Sequence, residues 1–141
     1  MRLQLQPELQ VSTQGRREHG ALMVTDRLRL NSRQEELAEN VQAYLLAHLD
    51  RHVTIDQLSA QFHVSATTVK SSFKAVCGTS IYAFTKQQKM YAAAELLRTG
   101  DSTVLEIAGR FGYDNASKFA GAFRSVMGVT PNEYRSKLRS R

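Results

Sequence analysis

The chain has 141 residues, enough for one compact domain or two very small ones, which excludes a large multidomain enzyme. Its 19 Lys and Arg residues outnumber its 13 Asp and Glu residues, and the net charge of +6 suits a surface that faces a phosphate backbone. Because no apolar run approaches the ~20 residues that cross a bilayer, and the single Cys77 forms no internal disulfide, we expect a cytoplasmic protein without a membrane partner.

Residues 1–31 differ in pattern from the rest of the chain. Their apolar residues follow no helical period, and Pro7 interrupts them. Residues 21–24 are apolar enough for a short strand, but a single strand has no sheet to join. We predict that residues 1–31 are a weakly ordered linker or the remnant of another domain.

A helical pattern begins at Ser32, where a capping box precedes a predicted first helix over residues 33–49. A second capping box at Thr54 precedes a predicted helix over residues 55–62, and Ser65 caps the third helix. The apolar residues of these helices recur every three or four positions, so we expect one face of each helix to be buried.

The second half of the chain opens with the longest predicted helix, over residues 81–98. Thr103 begins a capping box for the fifth helix, and residues 112–115 form a turn before the sixth. Thr130 caps the seventh helix, with Pro131 at its first position. The predicted fold class is therefore all-α, with seven helices.

Two stretches of the chain repeat one pattern. Matching residues, such as Phe62 with Phe111 or Phe73 with Phe123, lie 49 or 50 residues apart, because the turn of the second copy has one residue more. Each copy has a short helix, a tight turn and a second helix, which is the helix-turn-helix pattern of DNA-binding proteins. The repeat predicts two helix-turn-helix subdomains joined by a long central helix.

This pattern suggests a division of the chain into a linker, residues 1–31, and a double helix-turn-helix DNA-binding domain that occupies the rest. Within that domain, residues 32–79 form the first helix-turn-helix unit, residues 80–99 the linker helix and residues 100–141 the second unit. The central helix would be roughly 27 Å long and, together with its ends, could hold two readers near the ~34–36 Å between successive major grooves on one side of a duplex. One chain would then read two successive major-groove segments of double-stranded DNA.

A recognition helix lies with its N-terminal half against the base edges, so small or polar residues are needed there. The candidate base-reading residues of the third and sixth helices are Thr67, Lys70, Ser71, Asn115, Ser117, Lys118 and Gly121. Cations near these helices are candidates for phosphate contacts, which position a protein without reading sequence. The candidate phosphate contacts are Lys74, Lys86, Lys89, Arg110, Arg124 and Arg135.

Residues 107–135, with the sequence IAGRFGYDNASKFAGAFRSVMGVTPNEYR, resemble the C-terminal signature of the AraC/XylS-type bacterial transcriptional regulators. The resemblance extends over residues 36–138. In the first repeat, VKSSFK followed by GTSIYAF is similar to the branch of that family that controls siderophore and iron-uptake genes.

The resemblance implies a domain of two helix-turn-helix units that binds an asymmetric promoter site and usually activates transcription through contact with RNA polymerase. The base readers that it implies are Thr67, Lys70, Ser71, Ser117, Lys118 and Gly121. Many members carry Arg where Ser71 and Gly121 stand, and Arg to guanine is the commonest specific contact. Without it, the sixth helix would serve mainly as a backbone clamp, and Gly121 would mark some close approach.

Most members also carry an N-terminal domain that senses a ligand and dimerises, for which residues 1–31 are too short. The chain is then either a stand-alone regulator or a piece of a longer one. We expect a monomer or weak dimer that is controlled by abundance rather than by a ligand.

Other classes of function are less consistent with the sequence. Cys77 and the four histidines have no catalytic arrangement, and His48 and His52, four residues apart, have no third ligand nearby, so we expect no enzyme, no cofactor and no metal site. One alternative stays open because the sixth helix is weakly basic. It is a protein-interaction module that keeps the fold, such as a truncated regulator that contacts RNA polymerase or another regulator without reading DNA.

Overall fold

A computed structural model describes the backbone of residues 18–139 and the side chains of residues 27–139. Over this range the chain forms seven α-helices and no strand, which confirms the predicted fold class. The helices are α1 (Glu18–Ala47), α2 (Ile55–Phe62), α3 (Ala66–Cys77), α4 (Ile81–Thr99), α5 (Val104–Arg110), α6 (Ala116–Met127) and α7 (Pro131–Arg139). None of these helices is both long enough and apolar enough to span a bilayer.

The first helix is longer than predicted. The predicted start at residue 33 is wrong, because this position lies inside α1, as do residues 21–24, which were apolar enough for a short strand. The weak order expected of residues 1–31 stays a prediction. Residues 18–31 contain no proline, and their three Leu, two Arg, one Ala and one Met favour helix. A capping box at Ser32 permits a helix to start but does not interrupt one that is already formed. The rest of the predicted linker, residues 1–17, lies outside the described residues.

The helices divide into two compact units. The described part of unit 1 comprises α1 up to Ala43 together with α2 and α3, through Ser80. Helix α2 packs against α3, and Leu58, Val69 and Phe73 are fully buried. In α3 the buried apolar residues recur at helical spacing with polar residues between them, so the opposite face of this helix is exposed.

Unit 2 comprises Tyr44–Thr54 and the chain from Ile81 onward, with α4 packed against α5, α6 and α7. The predicted linker helix is therefore part of the second unit's core. The core residues are Met90, Ala93, Ala94, Leu97, Ile107, Ala108, Phe111, Phe119 and Phe123.

A line of aromatic rings holds α6 in unit 2. Tyr113 in the turn before α6 lies edge-on to Phe119, with ring centroids 5.6 Å apart, and Phe119 lies 6.0 Å from Phe123. Phe123 in turn meets Tyr134 of α7 edge-on at 5.6 Å. Such tilted and edge-on contacts are favourable beyond the area that they bury. The rings fix the buried face of α6 and leave the other face to solvent.

Candidate nucleic-acid interface

Each unit has one candidate DNA-binding helix, α3 in unit 1 and α6 in unit 2, and these two helices begin and end in the same way. Both helices have 12 residues, and each ends at a glycine in the left-handed conformation, Gly78 (φ 78°) and Gly128 (φ 86°). The Gly78 N–H donates to the Lys74 carbonyl at 2.9 Å, and the Gly128 N–H donates to the Arg124 carbonyl at 2.8 Å. The sequence repeat therefore encodes a repeated helix of defined length.

Both helices also begin at a polar cap, Ser65 for α3, as predicted, and Asn115 for α6. The Ser65 hydroxyl accepts a hydrogen bond from the Thr68 amide at 3.1 Å. The Asn115 side-chain oxygen accepts from the amides of Ser117 and Lys118, at 2.8 and 3.0 Å. Because this oxygen already caps α6, the base-reading role predicted for Asn115 is restricted to its amide nitrogen.

The turn before each recognition helix has the same backbone geometry in the two units. His63 (φ 57°) and Gly112 (φ 83°) both take the left-handed conformation. Each directly follows the matching phenylalanine of its repeat, Phe62 in unit 1 and Phe111 in unit 2. In unit 1 the Val64 amide donates to the Ser59 carbonyl at 3.2 Å, and in unit 2 the Tyr113 amide donates to the Ala108 carbonyl at 3.0 Å. These bonds close the ends of α2 and α5 in the manner of a Schellman motif.

The predicted base readers all lie on exposed faces. In α3, Thr67, Lys70 and Ser71 share the outward face with Lys74, one turn further on. In α6, Ser117 and Gly121 occupy the positions of Thr67 and Ser71 and are also exposed, as is Lys118 beside them. Side chains on these faces are short apart from the lysines, so neither helix presents bulk that would keep it out of a groove.

Three of the predicted phosphate contacts are exposed cations near these helices: Lys74, Arg110 and Arg124. Lys74 and Arg124 occupy the same position in α3 and α6, one turn before the terminal glycine. Lys86 is half-buried, with its Nζ 5.6 Å from the centroid of the Tyr82 ring on the same helix. The assignment of these four residues to phosphate stays a prediction.

The structure contradicts the role predicted for Lys89. Its side chain is only 6% exposed, and its Nζ lies 5.8 Å from the centroid of the Tyr113 ring in the turn before α6. Burial lowers the pKa of the Lys89 ammonium, and the nearby Asp50 carboxylate opposes that shift. Lys89 is unavailable to a phosphate because it lies on the face of α4 that packs inside unit 2.

Arg135 is likewise misassigned. Its guanidinium donates to the carbonyls of Leu97 at 3.2 Å, Ser102 at 2.6 Å and Gly100 at 3.3 Å. These oxygens lie at the end of α4 and in the segment after it, where a helix leaves unsatisfied carbonyls and a partial negative charge. Arg135 therefore joins α7 to the C-terminal end of α4, and all three of its side-chain nitrogens donate to backbone carbonyls rather than being held out for a phosphate.

The titratable residues considered for metal or covalent chemistry are not assembled into a site. His48 follows the end of α1 and pairs through Nδ1 with the Tyr44 carbonyl at 2.7 Å, and His52 is not on a helix with it. Burial raises the pKa of the Cys77 thiol, the opposite of what a nucleophilic cysteine requires. Among the described residues no group of three or more His, Cys, Asp or Glu is placed to hold a metal ion.

Comparison with known proteins agrees with this geometry. The family model described as a helix-turn-helix domain matches residues 58–137. A probable AraC family transcriptional regulator from Rhodopseudomonas palustris is 28% identical, with a TM-score of 0.65 over 73% of this chain and 97% of that chain. The chain belongs to the AraC/XylS-type helix-turn-helix family. The similarity of the first repeat to the siderophore branch of this family stays a prediction.

Three relatives of this AraC-type chain illustrate the match. It is 29% identical to the MmsAB operon regulatory protein of Pseudomonas aeruginosa over 72% of its length, but spans only 33% of that protein. It is 25% identical to the regulatory protein SoxS of Escherichia coli over 74% of its length and 97% of SoxS. The DNA-binding domain of AdpA, solved in complex with a target DNA, is 31% identical, with a TM-score of 0.69 over 74% of this chain and 94% of that domain.

Sequence reasoning missed the structural roles of Lys89 and Arg135 for a physical reason. The partners of Arg135 lie 33 to 38 residues earlier in the chain, so no local spacing identifies them. For Lys89, a signal was present in the helical period of α4, because it precedes the buried Met90 and lies one turn before Ala93.

Proposed function

We propose that this chain regulates transcription by sequence-specific binding to double-stranded DNA, with α3 and α6 each in the major groove. The observation that supports this proposal is the repetition of one exposed polar face on two helices with matching length, caps and terminal glycines. Packing alone would not require the solvent faces of two separate helices to carry similar small and basic residues. The complex of the AdpA domain with DNA adds support from a relative.

In this proposal α3 is the main reader of base sequence. Thr67, Lys70 and Ser71 lie on its outward face in the N-terminal half, where a recognition helix meets base edges. Lys70 is the longest donor of the three and suits the O6 and N7 acceptors of guanine. Lys74, one turn later, is placed to bind a phosphate.

Helix α6 contributes a different kind of contact. Ser117, Lys118 and Gly121 form its candidate reading face, but the position of Lys70 is occupied by the half-buried Ala120. With Arg124 at the position of Lys74, α6 keeps the phosphate contact while it has fewer base donors. We therefore assign α6 more to positioning than to direct readout.

Several further properties follow from this role. A regulator of this type acts in the cytoplasm, and relatives named as transcriptional activators, such as RhaR of Pectobacterium, favour activation with RNA polymerase as a partner. We propose that the chain acts as a monomer or weak dimer, because one chain carries two readers. No cofactor or catalytic step is needed for this function.

The test is selection of duplexes from a random pool by the purified chain, followed by salt titration of the enriched duplex and a scrambled one. We expect enrichment of two boxes about one helical turn apart and an affinity for the enriched duplex that falls steeply with salt. Enrichment of a single box would mean that α6 only clamps the backbone. Absence of any enrichment at low salt would reject sequence-specific binding by this chain.

The alternative is an interaction module that contacts a protein partner without reading DNA. Exposed apolar side chains in unit 2 favour it, with Tyr91 48% and Leu105 59% exposed. Such a module would bind random and selected duplexes equally weakly and would hold its partner at high salt. The salt titration therefore separates the two functions.

A further inference from the structure

Gly121 lies in the interior of α6, where the fold gives no reason for a glycine. Glycine destabilises a helix interior relative to alanine, because it adds freedom to the unfolded chain and buries nothing. A Cβ built on Gly121 would have no neighbouring atom within 4 Å, so no element of the described chain packs too closely for a side chain. Its φ is not positive, whereas Gly78, Gly112 and Gly128 all take the left-handed conformation.

The repeat supplies an internal reference for this position. The residue of α3 that corresponds to Gly121 is Ser71, which is also exposed and sits in a helix of the same length with the same terminal geometry. The scaffold therefore accepts a Cβ here. The sequence predicted that a close approach accounts for Gly121, and the structure shows that this approach does not come from the described part of the chain.

The surroundings of Gly121 indicate where an outside surface would approach. Ser117 lies one turn before it and Arg124 about one turn after it on the same outward face. At Gly121, between these two side chains on the face, the helix presents no side chain of its own. A surface that approaches this position would meet the backbone of α6, with a cation one turn further on.

We propose that Gly121 allows the DNA surface to contact the backbone of α6 directly, so that α6 lies deeper in the groove than a helix with a side chain at this position. This inference rests on the proposed function. It assigns Gly121 as a positioning residue that acts by the absence of a side chain. Recognition by α6 then depends on close fit to the duplex rather than on an Arg to guanine hydrogen bond.

The test compares Gly121→Ala with a matched control, Gly109→Ala. Gly109 is also an exposed helical glycine with nothing within 4 Å of a built Cβ, but it lies in α5, and the corresponding residue of α2 is Ala60. Both substitutions are expected to raise the melting temperature, by about 4 °C, because alanine favours helix. A rise in stability in both variants makes the binding result independent of folding.

Affinity is measured for the duplex that the wild-type chain selects. We expect Gly121→Ala to bind about tenfold more weakly with an unchanged salt slope, since no charge is altered, and Gly109→Ala to bind within about twofold of wild type. Gly121→Ser, which restores the side chain found in α3, is expected to lose at least as much as Gly121→Ala.

Two outcomes would overturn the inference. Wild-type affinity in Gly121→Ala would show that the DNA leaves room for a methyl group at this position. An equal loss in Gly109→Ala would show that the loss follows from helix stiffening and not from contact at Gly121. Failure of the wild-type chain to select any duplex would instead reject the proposed function, so the two failures are distinguishable.

Discussion

The two helix-turn-helix units have the same backbone devices but different side chains around them. Each has a left-handed turn residue, a polar cap and a 12-residue helix that ends at a left-handed glycine. Yet the turn residue is His63 in unit 1 and Gly112 in unit 2, and Lys70 of α3 corresponds to Ala120 of α6. The path of the backbone is thus repeated even where the residue type changes, and the candidate reading faces are similar except at the position of Lys70.

The support behind each recognition helix differs as well. Behind α6, rings from Tyr113 to Tyr134 form a continuous line, and Arg135 of α7 binds the carbonyls after α4. Among the described residues of unit 1, no helix follows α3 to play the part of α7. The comparison indicates that unit 2 depends on long-range contacts and unit 1 on its local caps and its small core.

The largest effect in this comparison is expected for Arg135→Ala. Removal of the guanidinium leaves three carbonyls near the end of α4 without their charged donor, so we expect the free energy of unfolding to fall by about 2 kcal/mol. Denaturant unfolding measures the loss. Arg98→Ala is the matched control, since Arg98 is an exposed arginine in the last turn of α4 that pairs with Glu95, and should change stability by less than about 0.5 kcal/mol.

Amide hydrogen exchange shows which helices lose stability in Arg135→Ala. Faster exchange is expected at amides of α5, α6 and α7, with smaller changes in α2 and α3. Equal acceleration in all five helices would mean that the two units unfold together, and the distinction between them would fail for stability.

A second test concerns the reading faces. Lys70→Ala removes a donor that has no counterpart in α6, so the preference for the selected duplex over a random one is expected to fall by about tenfold. Lys74→Ala is matched in residue type, helix and exposure, and should weaken both duplexes alike, as should Arg124→Ala in α6. Equal losses on both duplexes for Lys70→Ala would remove its assignment as a base reader.

Particular residues also show which features of the structure can be predicted from the sequence. The caps at Ser65, Thr103 and Thr130 follow local rules, because their hydrogen bonds join residues three apart, and the sequence predicts them correctly. It does not predict the start of α1, since a capping box marks a possible start and cannot exclude an upstream helix. Lys89 and Arg135 were assigned by charge alone, and only the packing of α4 and α7 shows that they are structural.

A third test substitutes the left-handed residues of the two turns, Gly112 and His63. Gly112→Ala should lower the free energy of unfolding by about 1 kcal/mol, because alanine is strained in the left-handed conformation. The added Cβ would lie 3.5 Å from the Arg51 Cα, an ordinary contact, so the cost is conformational. His63→Gly should be stabilising by a smaller amount, about 0.5 kcal/mol, since glycine also increases the freedom of the unfolded chain. Thermal unfolding that changed in the same direction for both variants would contradict the equivalence of the two turns.

The smallest expected difference between the units is in acid sensitivity, because unit 2 closes its capping boxes with carboxylates. At the start of α7, the Glu133 carboxylate accepts a hydrogen bond from the Thr130 amide at 2.9 Å. At the start of α5 the residue is Glu106, and the repeat places the uncharged Gln57 at the corresponding position of unit 1. Hydrogen bonds from the Thr130 backbone and side chain, with nearby Arg124 and Lys137, lower the pKa of Glu133 below its ordinary value of 4.5. A carboxyl whose pKa is lower in the folded state stabilises the fold above about pH 4.5, and that contribution disappears as the pH falls through its folded pKa.

Glu133→Gln tests this contribution, since glutamine keeps an oxygen that can accept from the Thr130 amide but cannot titrate. We expect the variant to melt slightly below wild type at pH 7 and the difference to shrink as the pH is lowered to 3. Other acidic groups with lowered pKa values, such as Asp50 and Glu95, are present in both proteins and cancel in the difference. A difference in melting temperature that stays constant across this range would mean that the charge of Glu133 adds nothing to its hydrogen bond.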